Sequence, residues 1–161
     1  MKGMTQGERK ATTALASIFA LRMLGLFMII PVFAIYGKAL TGATPALIGL
    51  AIGIYGLTQA ILQIPVGLLA DRINRKNLII AGLLLFAVGG AVAALSTTIQ
   101  GIILGRAIQG SGAISAVVMA LLADLTREEQ RTKAMSTIGM SIGLSFAVAF
   151  ILGPLVAAQF G

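Results

Sequence analysis

Long apolar stretches alternate with short charged segments along the whole chain. No residue is charged between Lys38 and Asp71, and none is charged between Lys76 and Arg106. Each stretch is long enough for a membrane-spanning helix of about 20 apolar residues, and the second also contains a short polar bend. The pattern predicts five helices, at about 13–36, 46–69, 78–95, 99–122 and 134–160. We therefore expect an all-α membrane protein with five transmembrane helices.

The composition also indicates a membrane protein. Charged residues make up 11% of the chain, which is about half of their share in an ordinary soluble domain. The net charge of +7 comes from clusters between the apolar stretches, so it indicates membrane topology and not a nucleic-acid surface. The chain has no Cys and no His, which removes thiol chemistry and the usual zinc ligands. We expect no enzymatic activity, no metal site and no cofactor.

The positive charges lie almost entirely on one side of the predicted membrane. Nine Lys and Arg residues fall in the N-terminal segment, the turn after the second helix and the loop after the fourth, whereas Lys38 alone falls on the other side. The positive-inside rule then predicts a cytoplasmic N-terminus. The first apolar stretch is too long for the core of a signal peptide, so we expect it to remain as a helix of a multi-pass plasma-membrane protein.

Two arginines lie inside predicted helices, Arg22 in the first and Arg106 in the fourth. A guanidinium keeps its proton in the membrane, so it needs hydrogen-bond acceptors or water and faces the interior of a helix bundle. Arg106, Gln109 and Gly110 are three or four residues apart and share one helix face. Each arginine is interpreted either as a cation that couples to a ligand in a central cavity or as a structural tie to neighbouring helices. No Asp, Glu or His lies well inside any of the five helices, so the chain offers no deeply placed carboxylate for proton transfer.

The ten residues 67–76 form a highly charged segment between two apolar stretches. Asp71 lies at the C-terminal end of the predicted second helix, where the helix dipole does not favour an anion. We expect it to pair with Arg72, with Arg75 or with the N-terminus of another helix. A salt bridge between Arg75 and Asp124 is a further prediction, because both residues are expected at the same membrane boundary.

Proline and glycine positions suggest how the helices are shaped and packed. Pro31 lacks a backbone N–H and is expected to kink the first helix. Glycines spaced four residues apart are typical of close helix packing. Three such pairs are interpreted in this way: Gly49 with Gly53, Gly101 with Gly105, and Gly139 with Gly143.

Four sequence patterns resemble those of the major facilitator superfamily. The pattern G-x-x-x-D-R-x-x-R-K at 67–76 resembles the family's loop between helices 2 and 3, and R-x-x-Q-G-x-G-A at 106–113 resembles its helix 4 signature. The pattern L-G-x5-P-V at 24–32 is similar to one of the drug-efflux-like branch, and Gly153-Pro154 resembles the pair in the antiporter signature of helix 5. The resemblance covers essentially the whole chain.

The chain departs from these patterns at several positions. Asn74 stands where the family's turn has Gly, and Asn is the next most tolerant residue of a left-handed backbone, so we expect the turn to form. Ala34 stands at the second proline of the helix 1 pattern. Alanines at 149, 157 and 158 stand where the antiporter signature has glycines, which leaves that signature less complete.

The resemblance implies an architecture and a set of residue roles. The chain would form helices 1 to 5 of an N-terminal six-helix bundle, with helix 6 and the C-terminal half absent, and the substrate site would lie between the two halves. Arg106, with Gln109 and Gly110, would take part in substrate or proton coupling, and Gly153 and Pro154 would shape helix packing. The expected latch between the halves comprises Gly67, Asp71, Arg72, Arg75, Lys76 and Asp124.

These expectations define a transport function. The chain is predicted to be the N-terminal part of a secondary active transporter of the bacterial inner membrane, which moves a small solute across the lipid bilayer by alternating access with proton-coupled efflux. Proton-coupled uptake remains open. A non-transporting membrane sensor also remains open, although pure scaffolding would not require Arg106 with Gln109. An odd number of helices with an abrupt end suggests a truncated chain, so a non-functional truncated product or a fragment of a longer reading frame is a further alternative.

Overall fold

The computed structural model describes residues 3–160, apart from the side chains of residues 34–36 and 160. Within these residues the chain is almost entirely helical and contains no β-strand. The helices in order are α1 (Gln6–Tyr36), α2 (Pro45–Leu69), α3 (Arg75–Ala94), α4 (Ile99–Ser111), α5 (Ser115–Leu125) and α6 (Glu128–Phe160), with a short 3-10 turn at Gly37–Ala39. Five segments of the described chain are helical, long and apolar enough to cross a membrane, and α4 with α5 forms the fourth of them. This confirms the predicted all-α membrane fold.

The helices fall into two compact units. The described residues of Met1–Ala34 and Met119–Gly161 form one unit, which contains most of α1 and all of α6. The second unit is Ile35–Val118, which contains α2, α3 and α4.

In the first unit, α6 is joined to α1 by serine side chains and by aromatic packing. Ser141 Oγ lies 3.3 Å from the carbonyl oxygen of Ala16, and Ser145 Oγ lies 2.9 Å from that of Ala20. Each hydroxyl divides its single proton between that contact and a carbonyl of α6, at 2.7 Å and 2.8 Å respectively. The two serines are four residues apart, so they lie on one face of α6. Further along, the rings of Phe27 and Phe146 meet edge to face with centroids 5.0 Å apart. Hydrogen bonds and a ring contact therefore both join α6 to α1.

In the second unit, α4 packs against both α2 and α3. The approach to α3 is very close, because a Cβ added to Gly105 would lie 2.7 Å from the carbonyl oxygen of Gly89. The approach to α2 is equally close, because a Cβ added to Gly110 would overlap the Thr58 hydroxyl and the Tyr55 carbonyl oxygen. Small residues on α3 and α4 thus allow the backbones to meet, as is common between membrane helices.

The loops at one end of this unit are also joined to each other. Thr41 forms an isolated parallel bridge with Thr98. The Thr41 N–H donates to the Thr97 carbonyl at 3.3 Å, and the Ile99 N–H donates to the Thr41 carbonyl at 3.2 Å. Gly42 follows with φ of 76°, the left-handed region that favours glycine. The bridge fixes the segment before α2 against the start of α4.

Three helices begin earlier than the apolar pattern predicted. α1 begins at Gln6 and not near residue 13, because Thr5 and Glu8 form a capping box: the Glu8 N–H donates to Thr5 Oγ1 at 3.2 Å, and the Thr5 N–H donates to Glu8 Oε2 at 2.7 Å. α6 begins at Glu128 and not near 134, and α3 begins at Arg75 and not near 78. Polar first turns extend these helices beyond their apolar parts.

The fourth predicted helix, about 99–122, is interrupted. α4 ends at Ser111, and α5 begins at Ser115 and continues to Leu125. Gly112 has ψ of 48°, and its N–H donates to the Gln109 carbonyl at 3.2 Å, so the regular i to i−4 pattern stops there. A Cβ on Gly112 would overlap the carbonyl oxygen of Gly82 in α3. This close approach of two backbones accompanies the break, and the residue pattern alone did not indicate it.

The packing interpretation of the glycine pairs holds only in part. Gly105 packs against α3, and a Cβ on Gly101 would overlap the Ser96 hydroxyl. The other two pairs, Gly49 with Gly53 and Gly139 with Gly143, do not lie against another helix of the described chain. No described atom lies within 4 Å of a Cβ added to any of these four glycines. The spacing of four residues was therefore not sufficient to identify a contact.

Candidate functional site

Arg106 is the most completely buried large polar residue of the described chain, with 1% of its surface exposed. Its Nε donates to the carbonyl oxygen of Ala51 at 3.3 Å, and its Nη1 donates to Gln109 Oε1 at 2.9 Å. The guanidinium carbon lies 4.8 Å from the centroid of the Tyr55 ring, within the range of a cation–π contact. We call Ala51, Tyr55, Arg106 and Gln109 the Arg106 cluster.

The cluster consists of two pairs of residues at helical spacing, one pair on each of two facing helices. Arg106 and Gln109 are three residues apart on α4, and Ala51 and Tyr55 are four apart on α2, so each pair occupies one helix face. Gly110 lets α2 approach α4 closely enough for the contact. The predicted grouping of Arg106, Gln109 and Gly110 on one face is thus present in the structure.

Gln109 is held from the side of α3. A Cβ on Gly89 would lie 2.7 Å from Gln109 Cγ, and a Cβ on Gly90 would lie 3.1 Å from Gln109 Nε2. The absence of side chains at the two glycines therefore leaves space for the Gln109 side chain against α3. The amide is positioned by α3 and in turn accepts from Arg106, so all three helices of this unit contribute to the placement of one guanidinium.

The Arg106 cluster contains no carboxylate. The five acidic residues of the chain all lie at helix ends or in turns: Glu8, Asp71, Asp124, Glu128 and Glu129. The positive charge of Arg106 is therefore stabilised by a carbonyl dipole, an amide oxygen and an aromatic face. Removing a charge from water is costly without such partners, so their geometry decides whether the guanidinium stays in place. No group of His, Cys, Asp and Glu within residues 3–160 is arranged to hold a metal ion.

Sequence reasoning did not find Ala51 and Tyr55. Both are buried on α2, and Tyr55 is 5% exposed. Ala51 contributes only its backbone carbonyl, which every residue has, so its residue type does not indicate this role. Tyr55 is a single aromatic residue in an apolar stretch, and only the packing of α2 against α4 brings it to Arg106.

Arg22, the second predicted coupling residue, lies in α1 and belongs to the other unit. It is buried, with 3% of its surface exposed. The interpretations as a coupling cation or as a structural tie both stay predictions.

The residues assigned to helix shape come together in the first unit. α1 continues through Pro31 to Tyr36. A Cβ on Gly153 of α6 would lie 2.9 Å from Pro31 Cγ and 3.1 Å from the Met28 carbonyl oxygen. The absence of a side chain at Gly153 thus accommodates the proline ring, while Pro154 lies in the interior of α6 and is half-buried.

The charged segment between α2 and α3 is a solvent-exposed turn. Asp71 follows the end of α2, its side chain is 71% exposed, and its carboxylate lies 3.8 Å from Arg75 Nη2. This agrees with the expectation that Asp71 pairs with Arg75. Arg72 and Lys76 are exposed, and Gly67 is half-buried near the end of α2.

The backbone of this turn differs from the expectation for Asn74. Its φ is −57°, so no left-handed residue is present there. Asn74 is instead the N-cap of α3, and its Oδ1 accepts from the Lys76 N–H at 2.9 Å. Asparagine is among the most favourable N-cap residues, which explains why this chain forms the turn without glycine.

A second polar cluster, which sequence reasoning did not assign to a site, joins α1 to the start of α6. Glu8 Oε1 accepts from the Arg127 N–H and from Arg127 Nε, each at 2.9 Å, and Glu8 Oε2 accepts from Arg127 Nη2 at 3.0 Å. The Glu8 carboxylate raises the pKa of Arg127, because it hydrogen-bonds and pairs with the charged form. The spacing Thr5-x-x-Glu8 carried a capping signal, but nothing in it pointed to Arg127. Asp124, the last predicted latch residue, is exposed near the end of α5 in the same unit.

Comparisons with known proteins agree with this architecture. The family model of the Major Facilitator Superfamily matches residues 15–161. The inner membrane transport protein YajR of Escherichia coli is 64% identical over 158 residues, which cover 98% of this chain and 35% of that protein. An uncharacterized transporter of Buchnera aphidicola, BU466, is 49% identical over 96% of this chain and 40% of its own length.

The name of a more distant relative refers to resistance to a class of drug. The quinolone resistance protein NorA of Staphylococcus aureus is 33% identical over 133 residues, or 81% of this chain and 33% of NorA. The chain thus spans between a third and two fifths of the length of these relatives. The family match over most of the residues, together with five helices of membrane-spanning length, places the chain in the major facilitator superfamily.

Proposed function

We propose that this chain is part of a secondary active transporter that moves a small solute across the bacterial inner membrane by alternating access. The proposal includes proton coupling, efflux as the direction, a cytoplasmic N-terminus and a second half outside these 161 residues. Family membership and the inner-membrane and transporter names of the relatives support it. The name of NorA supports efflux, because it connects a relative with resistance to a drug.

The observation that carries the proposal is the buried Arg106. A charge that serves only to orient a helix would lie at its end, whereas Arg106 lies about two helical turns inside the fourth span, which begins at Ile99, with 1% exposure. Intramembrane ionisable residues that are held by specific partners commonly mark substrate or ion pathways. Since none of its contacts is a carboxylate, a proton or an anionic group near the cluster would change the local charge balance strongly.

The exposed turn after α2 would supply the latch of such a transporter. Its ion pair is loose, with Asp71 and Arg75 3.8 Å apart, and the Asp71 side chain is mostly in solvent. A surface pair of this kind contributes little stability by itself. The segment is therefore suited to exchange partners. Its residues Gly67, Asp71, Arg72, Arg75 and Lys76, together with Asp124 near the end of α5, would contact the second half in one state and solvent in the other.

Transport by reconstituted protein tests the proposal. Proteoliposomes would contain either this chain or the longer protein that begins with these residues, under an imposed pH gradient. The probes would be a quinolone, lipophilic cations and sugars. Arg106→Ala would be compared with Arg9→Ala, the same change at an exposed position of the first helix.

The expected result is flux that depends on the gradient, is lost in Arg106→Ala and is retained in Arg9→Ala. Flux from the longer protein alone would show that the chain is one part of the machinery. Absence of flux from both proteins with every probe would overturn the proposal in favour of a non-transporting membrane protein. Uptake and efflux would be separated by the direction of the gradient that drives the probe.

A further inference from the structure

The guanidinium of Arg106 is held by groups on two different helices. Gln109 lies on the same helix as Arg106 and packs against α3, so its hydrogen bond does not fix the guanidinium relative to α2. The contacts from α2 are the Ala51 carbonyl oxygen at 3.3 Å and the ring of Tyr55 at 4.8 Å. Tyr55 is therefore the side chain that fixes the position of the charge between α4 and α2.

The Tyr55 ring is well placed to carry this role. It is 5% exposed, and the ring of Phe86 on α3 packs against it edge to face, with centroids 6.4 Å apart and planes at 85°. A cation–π contact is stronger when both partners are removed from water. A buried ring that faces a buried guanidinium, with no carboxylate in contact, satisfies that condition.

We propose that Tyr55 is a positioning residue for Arg106, and that it acts through the face of its ring and not through its hydroxyl group. The role in transport rests on the proposed function above, whereas the positioning of the guanidinium does not. Tyr55 holds the Arg106 charge at the interface of α2 and α4. A solute or proton that enters the cluster then encounters the charge at a fixed position. Loss of the ring leaves the charge with the Gln109 amide and one long hydrogen bond.

The ring-face mechanism makes Tyr55→Phe and Tyr55→Leu different. Tyr55→Phe removes the hydroxyl and keeps the π face, so the guanidinium stays in place. Tyr55→Leu keeps an apolar side chain of moderate size and removes the face. Phe86→Leu is the matched control, because it removes an aromatic ring from the same packing region without removing the ring that faces Arg106.

The position of the guanidinium can be read without transport. Phenylglyoxal reacts with accessible arginine side chains, and mass spectrometry of peptides then measures the reaction at Arg106 separately from the other arginines. The experiment would use the longer protein in lipid nanodiscs. We expect the reaction at Arg106 to be slow in the unmodified protein, in Tyr55→Phe and in Phe86→Leu, and about tenfold faster in Tyr55→Leu, since a desolvated cation–π contact is worth roughly that factor or more. The rate at Arg9 serves as an internal reference in every variant.

Transport of the same variants completes the test. We expect gradient-driven flux to fall in Tyr55→Leu through a lower maximal rate and to be retained in Tyr55→Phe. An unchanged reaction at Arg106 in Tyr55→Leu would overturn the proposal, as would an equal increase in Tyr55→Phe or in Phe86→Leu. If the unmodified protein moves no probe, the proposed transport function fails, and the reaction rates still decide whether Tyr55 positions Arg106.

Discussion

The carboxylate of Glu8 accepts three hydrogen bonds from Arg127, a residue 119 positions further along the chain. The same carboxylate accepts from the Thr5 N–H at 2.7 Å, so it caps α1 and binds the residue before α6 at once. Its exposed fraction is only 6%. Two of the three bonds from Arg127 come from its guanidinium, and hydrogen bonds between two charged groups are shorter and stronger than those between neutral groups.

We predict that Glu8→Gln loosens the beginnings of α1 and α6. Glutamine retains one acceptor oxygen but loses the charge and the paired geometry that a carboxylate offers to a guanidinium. Hydrogen–deuterium exchange should become several-fold faster in peptides that cover residues 5–9 and 127–131, with little change in α2 to α4. Asp71→Asn is the control, since its carboxylate is mostly exposed and its ion pair is loose. Equal exchange in the two variants would contradict a special role for the Glu8 pair.

Gly89→Ala should destabilise the contact between α3 and α4. The added Cβ would lie 2.5 Å from both the Gly105 carbonyl oxygen and the backbone nitrogen of Gln109, so the helices must separate. Overpacking of a tight contact typically costs about 1–3 kcal/mol. Titration of the purified protein with a denaturing detergent, followed by circular dichroism, would measure the free energy of unfolding.

Gly53→Ala is the control for that measurement. No described atom lies within 4 Å of its added Cβ, and alanine favours the helix over glycine. We therefore expect an unchanged or slightly higher stability. A loss at Gly53 as large as that at Gly89 would show that the close approach of α3 and α4 is not the cause.

Ser145→Ala should weaken the attachment of α6 to α1 by a smaller amount. Its buried hydroxyl lies 2.9 Å from the Ala20 carbonyl oxygen and divides its proton between that contact and the Ser141 carbonyl of its own helix at 2.8 Å. Hydrogen bonds between membrane helices contribute about 0.6 kcal/mol on average, so the expected loss is of that order. Ser136→Ala provides the comparison, because the described bond of that exposed hydroxyl is to Thr132 of its own helix. The same detergent titration should show a loss for Ser145→Ala and almost none for Ser136→Ala.

Asn74 offers a test of the turn before α3. Asn74→Ala removes the acceptor for the Lys76 N–H and should cost about 1 kcal/mol, whereas Asn74→Gly should cost only a few tenths. Asn74→Asp should retain the cap, because aspartate caps helices as well as asparagine does. A clearly higher stability of Asn74→Gly would instead indicate that the backbone there is strained, contrary to its φ of −57°.

The membrane helices were largely predictable from residue order. An apolar stretch without charges can satisfy its backbone in a bilayer only as a helix or in a closed barrel, so the five spans follow from composition. The helix beginnings were less predictable, because a polar first turn such as Thr5 to Glu8 has the residue composition of a loop. Asn74 was identified as a turn residue, but the backbone conformation predicted for it was wrong. Asparagine is favoured both at an N-cap and in the left-handed region, so the residue type does not distinguish the two.

The residues of the site divide in the same way. Arg106, Gln109 and Gly110 are close in sequence, so helical spacing was enough to place them on one face. Tyr55 with Arg106, Glu8 with Arg127, and Gly82 with Gly112 depend on how separate helices pack, and no local pattern specifies that packing. The break at Gly112 has the same origin, because the approach of α3 accompanies the end of α4. Residue types along the chain thus specified which segments enter the membrane, whereas contacts between distant segments specified how the buried charges are held.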